Sequence, residues 1–189
     1  TNLWAGLGYY SRARNLHAAA RQVVQLHGGK FPKDRSKLRE LKGVGEYTSA
    51  AIASIAFDEP HCALDGNLER VFARLLACRL DPKAKAGRVE LLGLGEKLVN
   101  CGRPGEVNQA VMDLSSMVCK PKAPLCGECP LERYCEARKL GIQAQLPAKR
   151  AKPEQVQLRA RGWAIVHREE LLLARRSAGS WLAGIWDLP

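Results

Sequence analysis

The chain has 189 residues, with 30 Lys+Arg against 19 Asp+Glu for a formal charge of +11, and seven cysteines. That length suffices for one substantial domain or one and a part, and the charge calls for a polyanionic partner, nucleic acid before an anionic membrane surface. No apolar run approaches the ~20 residues of a spanning helix, and nothing at the visible start reads as a signal peptide, so a membrane role is set aside.

Residues 2–27 carry apolar or small residues at helical spacing: Leu3 and Leu7, then Leu16, Ala19, Ala20, Val23 and Val24. Gly6 and Gly8 break the first helix, and Ser11 is placed to cap the second. Tyr9 and Tyr10 beside Arg12 and Arg14 make an aromatic–basic corner. Such a corner can stack on or wedge between bases while the arginines hold phosphates. One core tyrosine and two solvated arginines is the plainer reading of the same residues. Gly28-Gly29 and Pro32 mark a loop, and Ser36 is expected to cap a short helix through Leu41.

Gly43-Val44-Gly45 then forms a turn ahead of a small-residue helix over 46–57. Glycines in this place leave backbone N–H groups unobstructed, and the helix dipole adds to their attraction for a phosphate. Lys42 adds a cation. After the break at Pro60, Asp65-Gly66-Asn67 opens a helix expected over Leu68–Leu80, with Leu68, Val71, Phe72, Leu75 and Leu76 as its apolar stripe. On its own Asp65 reads as an N-cap. A carboxylate one helix away from a phosphate-gripping turn is also a candidate for chemistry. Two more helices are expected around Gly87–Asn100 and Val107–Val118, separated by Pro104-Gly105. The second holds Asn108, Gln109 and Asp113 among apolar positions. Everything to residue 118 reads as all-α, with Cys62, Cys78 and Cys101 as ordinary core residues.

Cys119, Cys126, Cys129 and Cys135 follow as C-x6-C-x2-C-x5-C. Thiolates at this density suit zinc or an iron–sulfur cluster, but zinc sites usually pair two C-x2-C units and only one is present. Lys120 and Lys122 would stand on the loop stiffened by the bound group, where they can contact phosphates. Residues 139–160 are rich in Pro, Lys, Arg and Gln and read as an extended, mobile basic linker. From Arg161 an apolar strand, a Glu169-Glu170 turn, a second strand over Leu171–Ala174 and a glycine-containing loop with Trp181 and Trp186 are expected.

Several of these stretches match known patterns. Leu41 to Ile52 resembles the helix–hairpin–helix motif, which grips a DNA strand through backbone amides, with Lys42 where that motif usually has Pro. The cysteine spacing matches the 4Fe–4S loop of the endonuclease III and MutY superfamily. Leu3 to Leu16 and Asp65-Gly66-Asn67 resemble the forms found in MutY-type adenine DNA glycosylases, and residues 161–189 resemble the start of their Nudix-like domain without its catalytic box. The resemblance implies a helical glycosylase domain over 1–138 with its cluster loop at 119–135, a linker over 139–160, and the first strands of an α+β domain over 161–189.

It also implies a function, the removal of adenine mispaired with 8-oxoguanine or guanine in duplex DNA during base-excision repair. By the same resemblance Asp65 faces the sugar cation, Asn67 helps position the reacting centre, Tyr47 lies beside the aspartate and Tyr9 is the wedge. Cys119, Cys126, Cys129 and Cys135 hold a 4Fe–4S cluster that takes no part in base removal. The expected setting is a monomer in a bacterial cytoplasm, at the nucleoid. Bifunctional relatives carry a Schiff-base lysine where Tyr47 stands, so strand cleavage is not expected. The family's general-acid glutamate precedes the signature and is none of Glu40, Glu46 or Glu59, so the chain reads as a fragment, cut at both ends, that does not turn over alone. The other readings are an endonuclease III-like glycosylase/lyase and a DNA-binding module without catalysis.

Overall fold

A computed structural model describes residues 2–148, 157, 159, 161–180 and 182–189. It divides into two units, Thr1–Arg150 and Ala151–Pro189. The first is helical: α1 (Tyr10–His27), α2 (Arg35–Glu40), α3 (Glu46–Phe57), α4 (Gly66–Leu76), α5 (Lys85–Val99), α6 (Pro104–Met117) and α7 (Glu136–Lys139). Short 3-10 turns at Asn2–Trp4, Cys126–Glu128, Glu132–Tyr134 and Gln143–Gln145 complete it.

Two packed clusters hold this unit. Ala19, Val23, Leu38, Leu41 and Ala53 join α1, α2 and α3, while Leu68, Val71, Phe72, Leu91, Val99 and Val111 join α4, α5 and α6. Helix α3 sits between neighbours because its buried positions, Ser49, Ala50, Ala53 and Ser54, are small. Where α6 crosses it, a Cβ on Gly105 would lie 2.7 Å from the Ser54 carbonyl oxygen, so the two backbones meet there because position 105 carries no side chain. Phe72, 1% exposed, is the largest buried side chain of α4 and stabilises that cluster by about 1.5–3 kcal/mol.

Helix boundaries differ from expectation at the caps. Ser11 does not cap α1; Tyr9, in the left-handed region at φ 45, is the N-cap, and the chain reaches it through Gly6 and Gly8, also at positive φ. Asp34 rather than Ser36 caps α2, accepting from the Ser36 N–H at 2.7 Å. Helix α4 ends at Leu76, short of Leu80, because Ala77 turns left-handed at φ 52 and donates back to the Ala73 and Arg74 carbonyls. Pro104 and Gly105 begin α6 instead of separating it from α5, with proline at the first turn, where a missing N–H costs nothing. Cys62 and Cys78 are buried as expected; Cys101 is exposed. Residues 139–148, assigned by composition to a linker, include the end of α7 and the buried Leu146. The stretches 149–156, 158 and 160 of that expected linker, and Trp181, lie outside the described residues.

Among the described residues the second unit holds four two-residue strands. β1 (Val166–His167) pairs antiparallel with β2 (Glu170–Leu171), and β3 (Ala174–Arg175) with β4 (Trp186–Asp187). The expected second strand over Leu171–Ala174 is therefore divided between two ribbons. Arg176 fastens the second ribbon through Asp187, its Nε donating at 3.1 Å.

Candidate functional site

Asp65 ends the loop that leads from α3 into α4 and caps the latter. Its Oδ1 accepts from the backbone N–H of Asn67 at 2.9 Å and of Leu68 at 2.8 Å, and its Oδ2 accepts from the Asn67 amide at 3.1 Å. Three donors fix the carboxylate's orientation at the N-terminus of α4. Asn67 is held in turn, since the Arg70 guanidinium donates to its Oδ1 at 3.0 Å and to the Ser115 and Cys119 carbonyls at 2.9 and 3.0 Å. Burial, chiefly, lowers the Arg70 pKa, with Arg74 adding repulsion.

The approach to Asp65 hangs on Asn108 of α6, which is 1% exposed. Its Oδ1 accepts from the Ala63 N–H at 2.9 Å, and its Nδ2 donates to the His61 carbonyl at 2.9 Å and to Ser54 Oγ at 2.8 Å. One side chain thus ties α3, α6 and the 61–63 segment two residues ahead of the carboxylate.

Tyr47, on the first turn of α3, faces the same region. Partial burial, and next the charge on Asp65, raise its phenol above the ordinary value of 10.0, so it is a neutral hydroxyl at physiological pH. It lines a cavity of about 260 Å³ with Arg35, Glu46, Cys62, Leu64, Arg88 and Leu92. A wider, open cleft of about 660 Å³ beside it shares Arg35 but contains none of Asp65, Asn67 or Tyr47.

The hairpin turn is built for close approach. Gly43 lies at φ +80, and a Cβ there would fall 2.6 Å from the Asn15 Cβ. The Lys42 N–H is occupied by Gln22 Oε1 at 2.7 Å and the Val44 N–H by the Leu41 carbonyl at 3.0 Å. The amides of Gly43 and Gly45 make no hydrogen bond within the described residues. Arg12, Lys42, Gly43 and Val44 line one groove between α1 and α3, which joins the turn to the aromatic–basic corner. In that corner the Arg12 guanidinium lies 5.3 Å from the Tyr9 ring centroid and 5.8 Å from that of Trp4, whose indole N–H closes on the Gly8 carbonyl at 3.0 Å. Tyr9 is 79% exposed and Tyr10 45%; neither tyrosine nor Arg14 lines the groove, where Arg12 represents the corner. Lys122 reaches a separate cavity of about 450 Å³ with Gly66 and Arg70, while Lys120 is exposed and offers its carbonyl to Arg74.

Cys119, Cys126, Cys129 and Cys135 line a single cavity with Arg74, Val118, Pro124 and Gln143. Burial, first, pushes the Cys126 and Cys129 thiols up, and the neighbouring thiols push further. Among the described residues no three His, Cys, Asp or Glu side chains are grouped to hold one metal ion. Four thiols lining one cavity are a donor set for zinc or for an iron–sulfur cluster. The buried Gln143 Oε1 belongs to a residue lining the same cavity and has no hydrogen-bond partner among the described residues. Gln22, Arg70, Arg74 and Trp4 escaped the reading of the sequence; only the i, i+4 pair of arginines next to Asp65 offered a signal.

The pattern described as HhH-GPD superfamily base excision DNA repair protein matches residues 1–97. The chain is 48% identical over 147 residues to the adenine DNA glycosylase of Homo sapiens, covering 77% of this chain and 27% of that protein. It is 37% identical over 201 residues to that of Arabidopsis thaliana, covering 99% and 32%. It thus spans about a quarter to a third of these relatives. Among solved structures, a thermostable thymine-DNA glycosylase superposes with a TM-score of 0.60 at 33% identity, covering 68% of this chain and 59% of the other. A non-covalent endonuclease III–DNA complex gives 0.58 at 30%, covering 73% and 62%.

Proposed function

Since the chain belongs to the HhH-GPD superfamily of base excision DNA repair proteins, we propose that it is the DNA-gripping and base-releasing part of an adenine DNA glycosylase. The substrate of that reading is adenine opposite 8-oxoguanine or guanine in duplex DNA, bound by a monomer. The observation that carries it is Asp65: a carboxylate fixed by three donors, with the neutral Tyr47 hydroxyl in its neighbourhood, one helix from a turn whose two glycine amides make no hydrogen bond among the described residues.

Breaking an N-glycosidic bond requires protonation of the leaving base and stabilisation of an oxocarbenium-like sugar, the two-carboxylate logic of glycosidases. Asp65 supplies the second, as electrostatic stabiliser or transient nucleophile, and Asn67 holds its orientation. The adenine must leave the stack. The Tyr47 cavity of about 260 Å³, just below the about 300–1,000 Å³ typical of ligand sites, suits a single base. Tyr9 is the wedge; Gly43 and Gly45 take a phosphate, with Lys42, Arg12 and Lys122 adding charge. Of the glutamates before Asp65, Glu46 is held by Arg35 and Arg39 at 2.6 and 2.7 Å. The leaving-group acid, by resemblance, precedes the signature, so the assay uses the full-length protein.

The four cysteines fit a 4Fe–4S cluster, which would supply structure to the 119–135 loop and no step of base removal. Residues 161–189 are read as the first strands of a Nudix-like domain. The test is adenine release from an adenine:8-oxoguanine duplex, and no release by the full-length protein refutes the proposal. Tyr47 has no amine for a Schiff base, so borohydride is expected to trap no adduct. A trapped adduct would favour the glycosylase/lyase alternative.

A further inference from the structure

Arg74, one turn beyond Arg70 on α4, is 2% exposed. Its Nε donates to the Gln143 and Leu146 carbonyls at 2.9 and 3.2 Å, and its two terminal nitrogens donate to the Lys120 and Pro121 carbonyls at 2.8 and 3.2 Å. One of them also reaches Cys119 Sγ at 3.3 Å, and the Arg74 carbonyl accepts from Cys135 Sγ at 3.4 Å. The side chain therefore joins the 119–121 loop to the 143–146 turn and forms one wall of the four-cysteine cavity.

Its charge is unanswered. A buried ion costs several kcal/mol unless an opposite charge faces it. Arg138, the other cation lining the cavity, is paired with Glu132 at 3.0 Å. Arg74 meets only carbonyl dipoles and sulfur, and none of the ion pairs among the described residues includes it. The anion that this site calls for is the thiolate set itself. Four thiolates outweigh the positive charge of an iron–sulfur core, which leaves a net negative group against the guanidinium.

We propose that Arg74 is the counter-charge of an anionic cluster held by Cys119, Cys126, Cys129 and Cys135, a positioning residue that ties the cluster loop to α4 and raises the cluster's reduction potential. This rests on the cluster assignment made above. A cation beside the cluster favours whichever redox state carries the more negative charge, and both net charge and hydrogen bonds to the sulfurs set cluster potentials. The Nε and second terminal nitrogen keep the guanidinium from rotating away, so the effect depends on the fork as well as the charge.

The experiment compares wild type, Arg74→Lys and Arg74→Gln for iron content, visible charge-transfer absorbance and reduction potential of the protein film. Wild type without iron or absorbance refutes the cluster assignment itself and leaves nothing for Arg74 to oppose. Where all three load iron, Arg74→Gln is expected to shift the redox equilibrium about tenfold toward the oxidised state, ~59 mV for a one-electron couple, while Arg74→Lys stays nearer to wild type. Loading by Arg74→Lys but not Arg74→Gln also supports the proposal. An unchanged potential in loaded Arg74→Gln, loading by Arg74→Gln alone, or loading by neither variant overturns it, the last by assigning Arg74 to loop folding rather than charge.

Discussion

Asn108→Ala tests how the loop to Asp65 is held. The substitution removes three hydrogen bonds of 2.8–2.9 Å from a side chain that is 1% exposed. The losses are unequal. Ser54 Oγ still donates to the Ala51 carbonyl at 3.3 Å, and His61 is only partly buried, so each of those bonds costs its net worth, about 1 kcal/mol. Ala63 is fully buried, and its N–H, left without an acceptor, costs about 1–3 kcal/mol. Together these give roughly 3–5 kcal/mol, a large share of the about 5–15 kcal/mol by which a domain is stable. At about 2–4 °C per kcal/mol for a chain of this size, thermal unfolding followed by circular dichroism should fall by roughly 6–20 °C. Base release should fall further than DNA binding, because the freed segment ends on Asp65 and the hairpin turn lies elsewhere. A variant that melts within about 2 °C of wild type, well below the smallest shift expected, would refute the assignment of Asn108 as the tie.

Gly43→Ala forces a left-handed alanine against Asn15, and the two penalties, about 1–2 kcal/mol for the backbone and about 1–3 kcal/mol for crowding, should lower both stability and duplex affinity. Gly45→Ala, with extended backbone and nothing within 4 Å of its Cβ, should leave stability nearly unchanged; equal destabilisation of the two would contradict the geometry. Burial pushes the Cys62 thiol up to about 12 from 9.0, which leaves about a thousandfold less thiolate near pH 8. Iodoacetamide should therefore label the exposed Cys101 in minutes and spare Cys62, and mass spectrometry of the labelled peptides would show it. The raised Cys62 and Tyr47 values carry the same sign: stability is kept below their ordinary ionisation range and is lost as pH rises through it. An alkaline melt series that gained stability above pH 9 would contradict both.

What the residues alone disclosed was whatever leaves a local signature. Helix α3 occupies the expected 46–57 because a glycine turn opens it and small residues run through it. The turn at Gly43 and Gly45, the capping role of Asp65 and the meeting of four cysteines were legible for the same reason. Tyr9 and Ala77 show the opposite: neither residue type favours the left-handed region, so a helix start and a helix end were misplaced. The stretch 139–148 looked like linker because its part in the fold is played largely by backbone carbonyls, and an acceptor for Arg74 has no side-chain mark. Arg74 itself carries no mark of burial in the sequence. Only the tertiary structure turns it inward.

The most direct test is the rate of adenine release from an adenine:8-oxoguanine duplex by the full-length protein and by its Asp65→Asn variant, with affinity for the same duplex measured alongside. Asparagine keeps an oxygen for the Asn67 and Leu68 amides but carries no negative charge for the sugar cation. Release should fall by at least about a thousandfold, roughly 4 kcal/mol of transition-state stabilisation, while binding stays within a few-fold. Undiminished release by Asp65→Asn would contradict the account at its centre.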